Sequence, residues 1–178
     1  MTEPETESDG PSRVALIAAL VVAVAAVGAV LAVAAAHRPE RQPVVVAEVP
    51  APRAADPACH ALLDALPQRL GDYRRAPVAR PAPDGVAVWA VGDGDPVVLR
   101  CGLDRPADFV VGSPIQVVDR VQWFAVRENG RATWYTVDRR VYVALTLPPG
   151  SGPTPIQALS ELIDDTITEA PIKPAPAR

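Results

Sequence analysis

The feature that most constrains this chain is an uninterrupted apolar run over residues 14–36, VALIAALVVAVAAVGAVLAVAAA. Its 23 residues carry no charged or hydrogen-bonding side chain. As a helix the run extends roughly 35 Å, enough to cross a hydrocarbon core of about 30 Å. A lone segment in a bilayer must satisfy its backbone polar groups internally, so helix is the expected state. The sequence therefore predicts one transmembrane helix over residues 14–36.

A cleaved signal peptide is the alternative interpretation of the same run. Ala34, Ala35 and Ala36 match a small-residue cleavage site, but the apolar core of a signal peptide usually spans only about 7 to 15 residues. The longer run favours an anchor, and cleavage stays open. Because no cysteine lies near its end, the run is not a lipoprotein signal.

The orientation of the helix rests on two opposing signals. Arg13 precedes the run, whereas Arg38 and Arg41 follow it, and by the positive-inside rule this weakly favours a cytoplasmic C-terminus. The two cysteines of the chain, Cys59 and Cys101, favour an oxidising compartment. We give the cysteines more weight and predict a single-pass protein of the cell membrane with an extracytoplasmic C-terminal domain.

The chain has two cysteines, Cys59 and Cys101, which is enough for one disulfide. A bond between them would restrict the unfolded chain and stabilise the fold by about 4 kcal/mol. Two buried free thiols are the alternative. The chain has no C-x-x-C pair, and its only histidines are His37 and His60. The sequence therefore predicts no metal site and no cofactor.

Composition divides the rest of the chain. Residues 1–13 are acidic and polar and predict a cytoplasmic tail, residues 37–56 predict a proline-rich tether, and residues 171–178 predict a disordered tail. The folded domain is expected over residues 57–170. Residues 37–178 hold 16 basic and 17 acidic side chains. This near balance gives no sign of the clustered basic surface that binding to nucleic acid requires.

Two helices are predicted, one at each end of this domain. Asp56 and Pro57 form a helix-start signal, and apolar residues follow at helical spacing as far as Leu70, with Pro67 expected to kink or end the helix and Gly71 to stop it. Thr154 and Pro155 open the second helix. Its apolar stripe consists of Ile156, Leu159, Leu162, Ile163 and Ile167.

Strands are predicted between the helices. Residues 86–91 and 96–101 flank a Gly/Asp turn and indicate a hairpin. Asn129-Gly130 indicates a two-residue hairpin that pairs Glu128 with Arg131 and Trp123 with Thr136. The strand over residues 141–147 completes an α+β fold, a single antiparallel sheet of about five strands flanked by the two helices.

The register of that last strand stays open. A two-residue turn at Arg139-Arg140 would place Trp123 and Trp134 on the core face, whereas a three-residue turn would place Phe124 and Tyr135 there. Either way some aromatics lie off the core face. The sequence-based candidates for a partner or ligand patch are Trp123, Trp134, Asp138, Arg139 and Tyr142. Core packing for the aromatics and solvated turns for the charges are the competing interpretations.

Five stretches carry a resemblance to a known family: ACHALLDALPQRLGDYRR, AVWAVGDGDPVVLRCG, VDRVQWF, TWYTVDRRVYVALTLP and GPTPIQALSELI. The chain resembles, over about residues 58–165, an actinobacterial family of membrane-anchored or secreted proteins with a domain of unknown function, domain of unknown function 3515. The resemblance implies an envelope location and a Cys59 to Cys101 pair, and it implies no catalytic residue.

The expected function is a non-catalytic binding or scaffolding module of the cell envelope. No nucleophile elbow, H-E-x-x-H, P-loop or G-x-G-x-x-G pattern is present in the sequence. Besides the membrane that holds its anchor, the expected partner is an envelope protein, glycan or lipid. The alternative is an enzyme acting on cell-wall precursors, with Asp138, Arg139 and Tyr142 as its first polar groups to test.

Overall fold

The computed structural model describes residues 13–36 and 42–177, which form two separate units. The first unit contains helix α1, Arg13–Ala36. Its stretch Arg13–Val33 has a mean hydropathy of 3.0, so the helix is long and apolar enough to cross a membrane, although a signal sequence would meet the same criterion. Most of the predicted cytoplasmic tail, residues 1–12, lies outside the described residues.

The second unit begins with helix α2, Pro57–Ala65, which Asp56 caps as the sequence predicts. The Asp56 carboxylate accepts a hydrogen bond from the Ala58 amide at 2.9 Å. The helix ends before Pro67, because a proline inside the helix would remove a backbone donor and clash with the preceding turn. Leu70, predicted to lie in this helix, lies in the first strand instead.

Eight antiparallel strands form one sheet in the order β1-β2-β3-β4-β8-β7-β6-β5. The strands are β1 Arg69–Leu70, β2 Tyr73–Ala76, β3 Val86–Ala90, β4 Val97–Leu103, β5 Ile115–Val118, β6 Val121–Glu128, β7 Arg131–Thr136 and β8 Tyr142–Leu147. Helix α3, Thr154–Thr166, follows the sheet. The α+β class and the single antiparallel sheet are as predicted, but the sheet has eight strands where about five were predicted. The prediction omitted β1, β2 and β5, which are two to four residues long.

The hairpin between β6 and β7 has the predicted register, from Glu128 opposite Arg131 to Trp123 opposite Thr136. Asn129 and Gly130 at its tip have φ of 50° and 77°. Positive φ at both central residues is the requirement of a type I′ turn, and Asn-Gly satisfies it with little strain. The local sequence thus determines this pairing.

The last strand takes the register of the two-residue turn. Trp134 lies opposite Leu145 and Tyr135 lies opposite Ala144. Trp123 and Trp134 therefore share the face of the sheet that packs against α2 and α3, which we call the inner face. Its core contains Trp89, Leu99, Trp123, Leu145 and Ile163, all with no exposed surface.

The opposite, outer face is covered at two places by irregular chain. Val44 and Val46, in the predicted tether, pack beside Val88 and Val98, and Val44 bridges to Val78. Residues 37–41 of that tether lie outside the described residues. Val44 and Val46 of the predicted tether therefore lie against the outer face of the sheet.

The second cover comes from the C-terminal segment and the chain before β5. Ile172 packs with Phe109 and Phe124, and the Ala175 amide donates to the Phe109 carbonyl at 2.9 Å. The segment predicted as a disordered tail, residues 171–178, thus has a defined path as far as residue 177. The proline-rich composition is compatible with this path, because an extended strand of chain needs few backbone donors.

Candidate functional site

The two cysteines form a disulfide that joins α2 to the sheet. Cys59 and Cys101 have Cα atoms 5.6 Å apart, and neither residue has exposed surface. That separation lies within the range of roughly 4.4 to 6.8 Å that disulfides require. The bridge fixes the helix layer onto β4, a central strand, and a disulfide of this kind fits an oxidising compartment.

The two tryptophans of the sequence-predicted patch lie on the inner face. Trp123 has no exposed surface, and its indole N–H donates to the Ser160 hydroxyl on α3 at 2.9 Å. Trp134 is partly buried against the same core, with the Arg127 guanidinium 5.6 Å from its ring centre. Trp123 is thus a packing residue, and a ligand reaches at most the exposed part of Trp134.

Asp138 and Arg139 form a buried ion pair in the β7–β8 loop. Their side chains are 2% and 1% exposed, and Arg139 also binds Asp164 of α3 at 2.7 Å. The Asp138 carboxylate accepts from the Gln122 amide. Burial raises the pKa of Asp138, and the adjacent Arg139 charge opposes that shift. The pair therefore ties the loop to β6 and α3.

Tyr142, the fifth predicted residue, packs on the outer face with Phe109 and Phe124. Asp138 and Arg139 lie in the β7–β8 loop, where Arg139 binds Asp164 of α3, and neither forms a hydrogen bond or an ion pair with Tyr142 in the described part of the chain. Burial raises the pKa of Tyr142. The structure places Asp138 beside Arg139, and it does not bring the five predicted residues together.

A different polar site lies on the outer face, between the two covers. We call it the sheet groove, a cavity of about 490 Å³. Two rows of directly opposed residues form this part of the face. One row consists of Val98, Thr146, Thr133 and Val126, and the next consists of Arg100, Ala144, Tyr135 and Phe124. Thr133, Thr146 and Tyr135 line the groove.

The hydroxyl groups of the groove floor are half-buried and available. The Thr133 and Thr146 hydroxyls lie 3.1 Å apart and share one hydrogen bond. Tyr135 lies beside them, and burial raises the pKa of its phenol, which the Arg100 charge partly counteracts. The phenol is therefore protonated at neutral pH and able to donate.

Arg100 lies in the same row as Tyr135, on the far side of Ala144, and is not among the residues that line the groove. Its Nη2 donates to the Ala47 carbonyl at 3.2 Å, and its Nε is buried without a hydrogen-bond partner. Burial lowers the pKa of Arg100, and the neighbouring Tyr135 opposes that shift. Among residues 13–36 and 42–177, no carboxylate lies within ion-pair distance of its guanidinium.

The mouth of the groove carries charges of both signs. Arg131 binds Asp95 at 2.6 Å, which connects the β6–β7 hairpin to the turn before β4. Glu128 and Asn129 complete this end. The groove thus has charged and amide side chains at its mouth, and Thr133, Tyr135 and Thr146 line the rest of it together with Val126.

The sequence-based patch did not include Arg100, Thr133, Tyr135 or Thr146. Arg100 had one local signal, since it is the single charge in the otherwise apolar run PVVLRC. The others had none, because their neighbourhood depends on which strands pair with β8. The part of the chain that the structure describes holds no cluster of three or more His, Cys, Asp or Glu residues suited to a metal ion.

A family described as a protein of unknown function, DUF3515, matches residues 20–172, which includes part of α1 and nearly all of the folded unit. Neither the curated proteins nor the solved structures contain a match.

Proposed function

The chain belongs to the DUF3515 family, and from that premise we propose that it is a membrane-anchored, extracytoplasmic binding module that takes its ligand in the sheet groove. The module is non-catalytic. Its ligand is a hydroxyl-bearing component of the cell envelope, a glycan or a lipid headgroup, and the anchor keeps the module at the surface where such components lie.

The apolar helix and the disulfide support the location. Helix α1 meets the length and hydropathy of a membrane span. The Cys59–Cys101 bond needs an oxidising environment to persist, which the cytoplasm does not provide. Together they favour an N-terminus inside and a folded unit outside the cytoplasm. The positive-inside rule weakly favours the opposite orientation, because Arg38 and Arg41 follow the apolar run and only Arg13 precedes it.

The observation that carries the proposed function is the sheet groove itself. Its volume of about 490 Å³ is within the range of roughly 300 to 1,000 Å³ that small-ligand sites occupy. Three hydroxyl-bearing residues, Thr133, Thr146 and Tyr135, line it. A floor of hydroxyl groups on rigid strands suits a polar ligand, because each can donate or accept as the ligand requires.

The enzyme alternative has weaker support. The raised pKa of Asp138 is what an acid catalyst needs, but its carboxylate is paired with Arg139 and is 2% exposed. Tyr142 packs in a separate cluster with Phe109 and Phe124. A substrate would have to break the ion pair and open the β7–β8 loop before reaching the Asp138 carboxylate.

Topology is tested with fusions at the C-terminus of the full chain. A reporter active only in the cytoplasm should be silent there, and a reporter active only after export should be active. Strong cytoplasmic activity would overturn the location and with it the role of the disulfide.

The groove is tested by photo-crosslinking in intact cells. A photoreactive amino acid replaces Thr133 in the groove, and the matched control places it at Gln157, an exposed polar residue of α3 on the other side of the sheet. The expected result is an adduct with a glycan or lipid at Thr133 and none at Gln157. Equal adducts at both positions, or adducts at Gln157 alone, would refute the groove as the binding site.

A further inference from the structure

We propose that an apolar surface at the start of the folded unit docks on the lipid of the membrane in which the chain is anchored. The surface consists of Val45, Val46 and residues 79–83, and we call it the tether face. This inference rests on the anchored location in the proposed function, and it does not depend on the ligand of the sheet groove.

The first observation is the exposure of Val45 on an ordered backbone. Its side chain is 86% exposed, more than any other large apolar side chain in the part of the chain that the structure describes. Val44 and Val46 on either side of it pack against the sheet. The Val44 amide donates to the Pro77 carbonyl at 2.9 Å, and the Val44 carbonyl accepts from the Ala79 amide at 2.8 Å. The sheet thus fixes the backbone beside Val45 and leaves its side chain in solvent.

The second observation is the composition of the chain beside Val45. Pro81 and Ala82 are exposed, and with Pro83 they line a cavity of about 340 Å³ together with Val45 and Val46. Proline has no backbone N–H, so two of these three residues have no amide donor that would lose its water in a lipid interface. The tether face therefore combines apolar side chains with few backbone donors.

The third observation is the short length of chain between this surface and the membrane span. Val45 is nine positions beyond Ala36, the last residue of α1. Even a fully extended chain limits that distance to about 30 Å. Such confinement acts as a high local concentration of lipid, so a contact too weak to bind a free protein is sufficient here. The membrane is thus the apolar partner that the tether face always has within reach.

The charges around the tether face do not provide an electrostatic attraction. Glu48 and Arg80 both line the cavity, and Asp84, which follows Pro83, is exposed. These three charges do not add up to a basic patch, which is what anionic headgroups attract. The contact therefore depends on the apolar side chains and should persist in high salt, which screens exposed charges.

The experiment reconstitutes the full chain in vesicles of phosphatidylcholine and phosphatidylglycerol, with a photoreactive amino acid at one position at a time. Val45 and Ala82 probe the tether face. Ala82 is far from α1 in sequence, so it reaches lipid only if the surface itself docks. The matched control is Val117, a 65% exposed valine of β5, the edge strand at the other end of the sheet from β1 and β2. Flotation of the vesicles measures anchoring separately.

The expected result is a lipid adduct at Val45 and at Ala82, each in at least about fivefold greater yield than at Val117. Val45→Ser should lower the adduct at Ala82 by about threefold, because it removes the most exposed apolar side chain of the tether face. Val117→Ser should leave that adduct unchanged. Both substituted valines are exposed, so neither change removes a core contact.

Four results would overturn the inference. An adduct at Val45 without one at Ala82 would mean that the tether is near the lipid and the surface is not. An adduct at Val117 equal to the other two would mean that the folded unit has no preferred orientation. A crosslinked dimer at Val45 would identify a second copy as the occupant. Loss of both adducts in about 0.5 M salt would replace the apolar contact with an electrostatic one.

Flotation separates this inference from the proposed function. A chain that floats with the vesicles and gives no adduct at Val45 or Ala82 refutes the docking alone and leaves the anchored module intact. A chain that does not float refutes the anchor, and the proposed location and the docking are then both wrong.

Discussion

Cys59 of α2 and Cys101 of β4 are joined at a point where both residues are fully buried, with their Cα atoms 5.6 Å apart. Cys101 lies opposite Val143 of β8, so the bridge attaches the helix layer to the strand pair at the middle of the sheet. Loss of the bridge therefore affects the centre of the fold and not its periphery.

Replacing Cys59 with Ser should lower the free energy of unfolding by about 2 to 5 kcal/mol, because the unfolded chain is no longer restricted by a closed loop. Guanidinium unfolding of the full chain in detergent, followed by tryptophan fluorescence, measures the change. Reduced wild type should lose a similar amount. A variant as stable as the oxidised wild type would contradict the structural role of the bridge, and insertion of α1 into the membrane should be unaffected.

Gly102→Ala should disrupt the packing of the tether end on β4. A Cβ atom at Gly102 would lie 2.3 Å from the Ala54 nitrogen, so the backbone at residues 53–54 must move. Gly112→Ala is the matched control, because its φ of 90° is close to the 88° of Gly102 and a Cβ there meets nothing within 4 Å.

Both alanine variants pay the cost of a left-handed backbone, about 1 to 2 kcal/mol. The additional loss of unfolding free energy in Gly102→Ala, relative to Gly112→Ala, measures the clash of the new Cβ atom with the backbone of residues 53–54. Hydrogen exchange should show faster exchange of the Arg53 amide, which donates to the Gly102 carbonyl. Equal destabilisation of the two variants would mean that the approach contributes nothing.

Ser160→Ala should destabilise the fold by about 1 to 3 kcal/mol, because it leaves the buried Trp123 indole N–H without an acceptor. Trp123→Phe combined with Ser160→Ala closes a double-mutant cycle. The double variant should lose less than the sum of the two single losses. Strict additivity would show that the hydrogen bond is not formed in solution.

Asp56→Asn tests a carboxylate whose pKa is lowered, first by the hydrogen bond from the Ala58 amide and then by Arg53 and Arg140. Asparagine still caps a helix, so the substitution removes the charge and keeps the cap. A lowered folded-state pKa contributes stability above the unfolded-state value of 3.8 and loses it as the pH falls through the folded-state pKa.

Wild type should therefore exceed Asp56→Asn in stability at neutral pH, and the difference should shrink progressively below about pH 3.8. Thermal unfolding at a series of pH values measures it. A difference that stays constant down to pH 2 would show that the charge of Asp56 makes no contribution.

Local signals predicted what depends on local sequence. Asn129-Gly130 predicts both the turn and the register of its hairpin, because a type I′ turn leaves one way to pair the flanking residues. The apolar stripe of α3 is confirmed at Ile156, Leu159 and Ile163 for a similar reason. The capping of α2 by Asp56 depends on three consecutive residues.

Nonlocal relationships were not accessible in the same way. The pairing of β4 with β8 joins strands more than 30 residues apart in sequence, and no local signal selects that partner. The position of Arg100 across Ala144 from Tyr135 follows from that pairing, whereas the face of Trp123 follows from the register of β7 with β8. The short strands β1, β2 and β5 lack the length over which alternation can be recognised.

In the proposed topology the chain is exported from its N-terminus onward, and the central position of the β4–β8 pair then affects the order in which the sheet can form. The strands β1 to β4 and β5 to β7 can each pair in sequence, but the two halves stay unjoined until β8 has emerged between them. Until then the edges of β4 and β7 have open hydrogen-bonding groups, a surface prone to wrong pairing. Cys59 and Cys101 both precede β8 in the sequence, so on such export they would leave the membrane before it. Oxidation of the thiols can therefore precede completion of the sheet, and an exported chain that stalls before residue 142 would carry the covalent bond without its central strand.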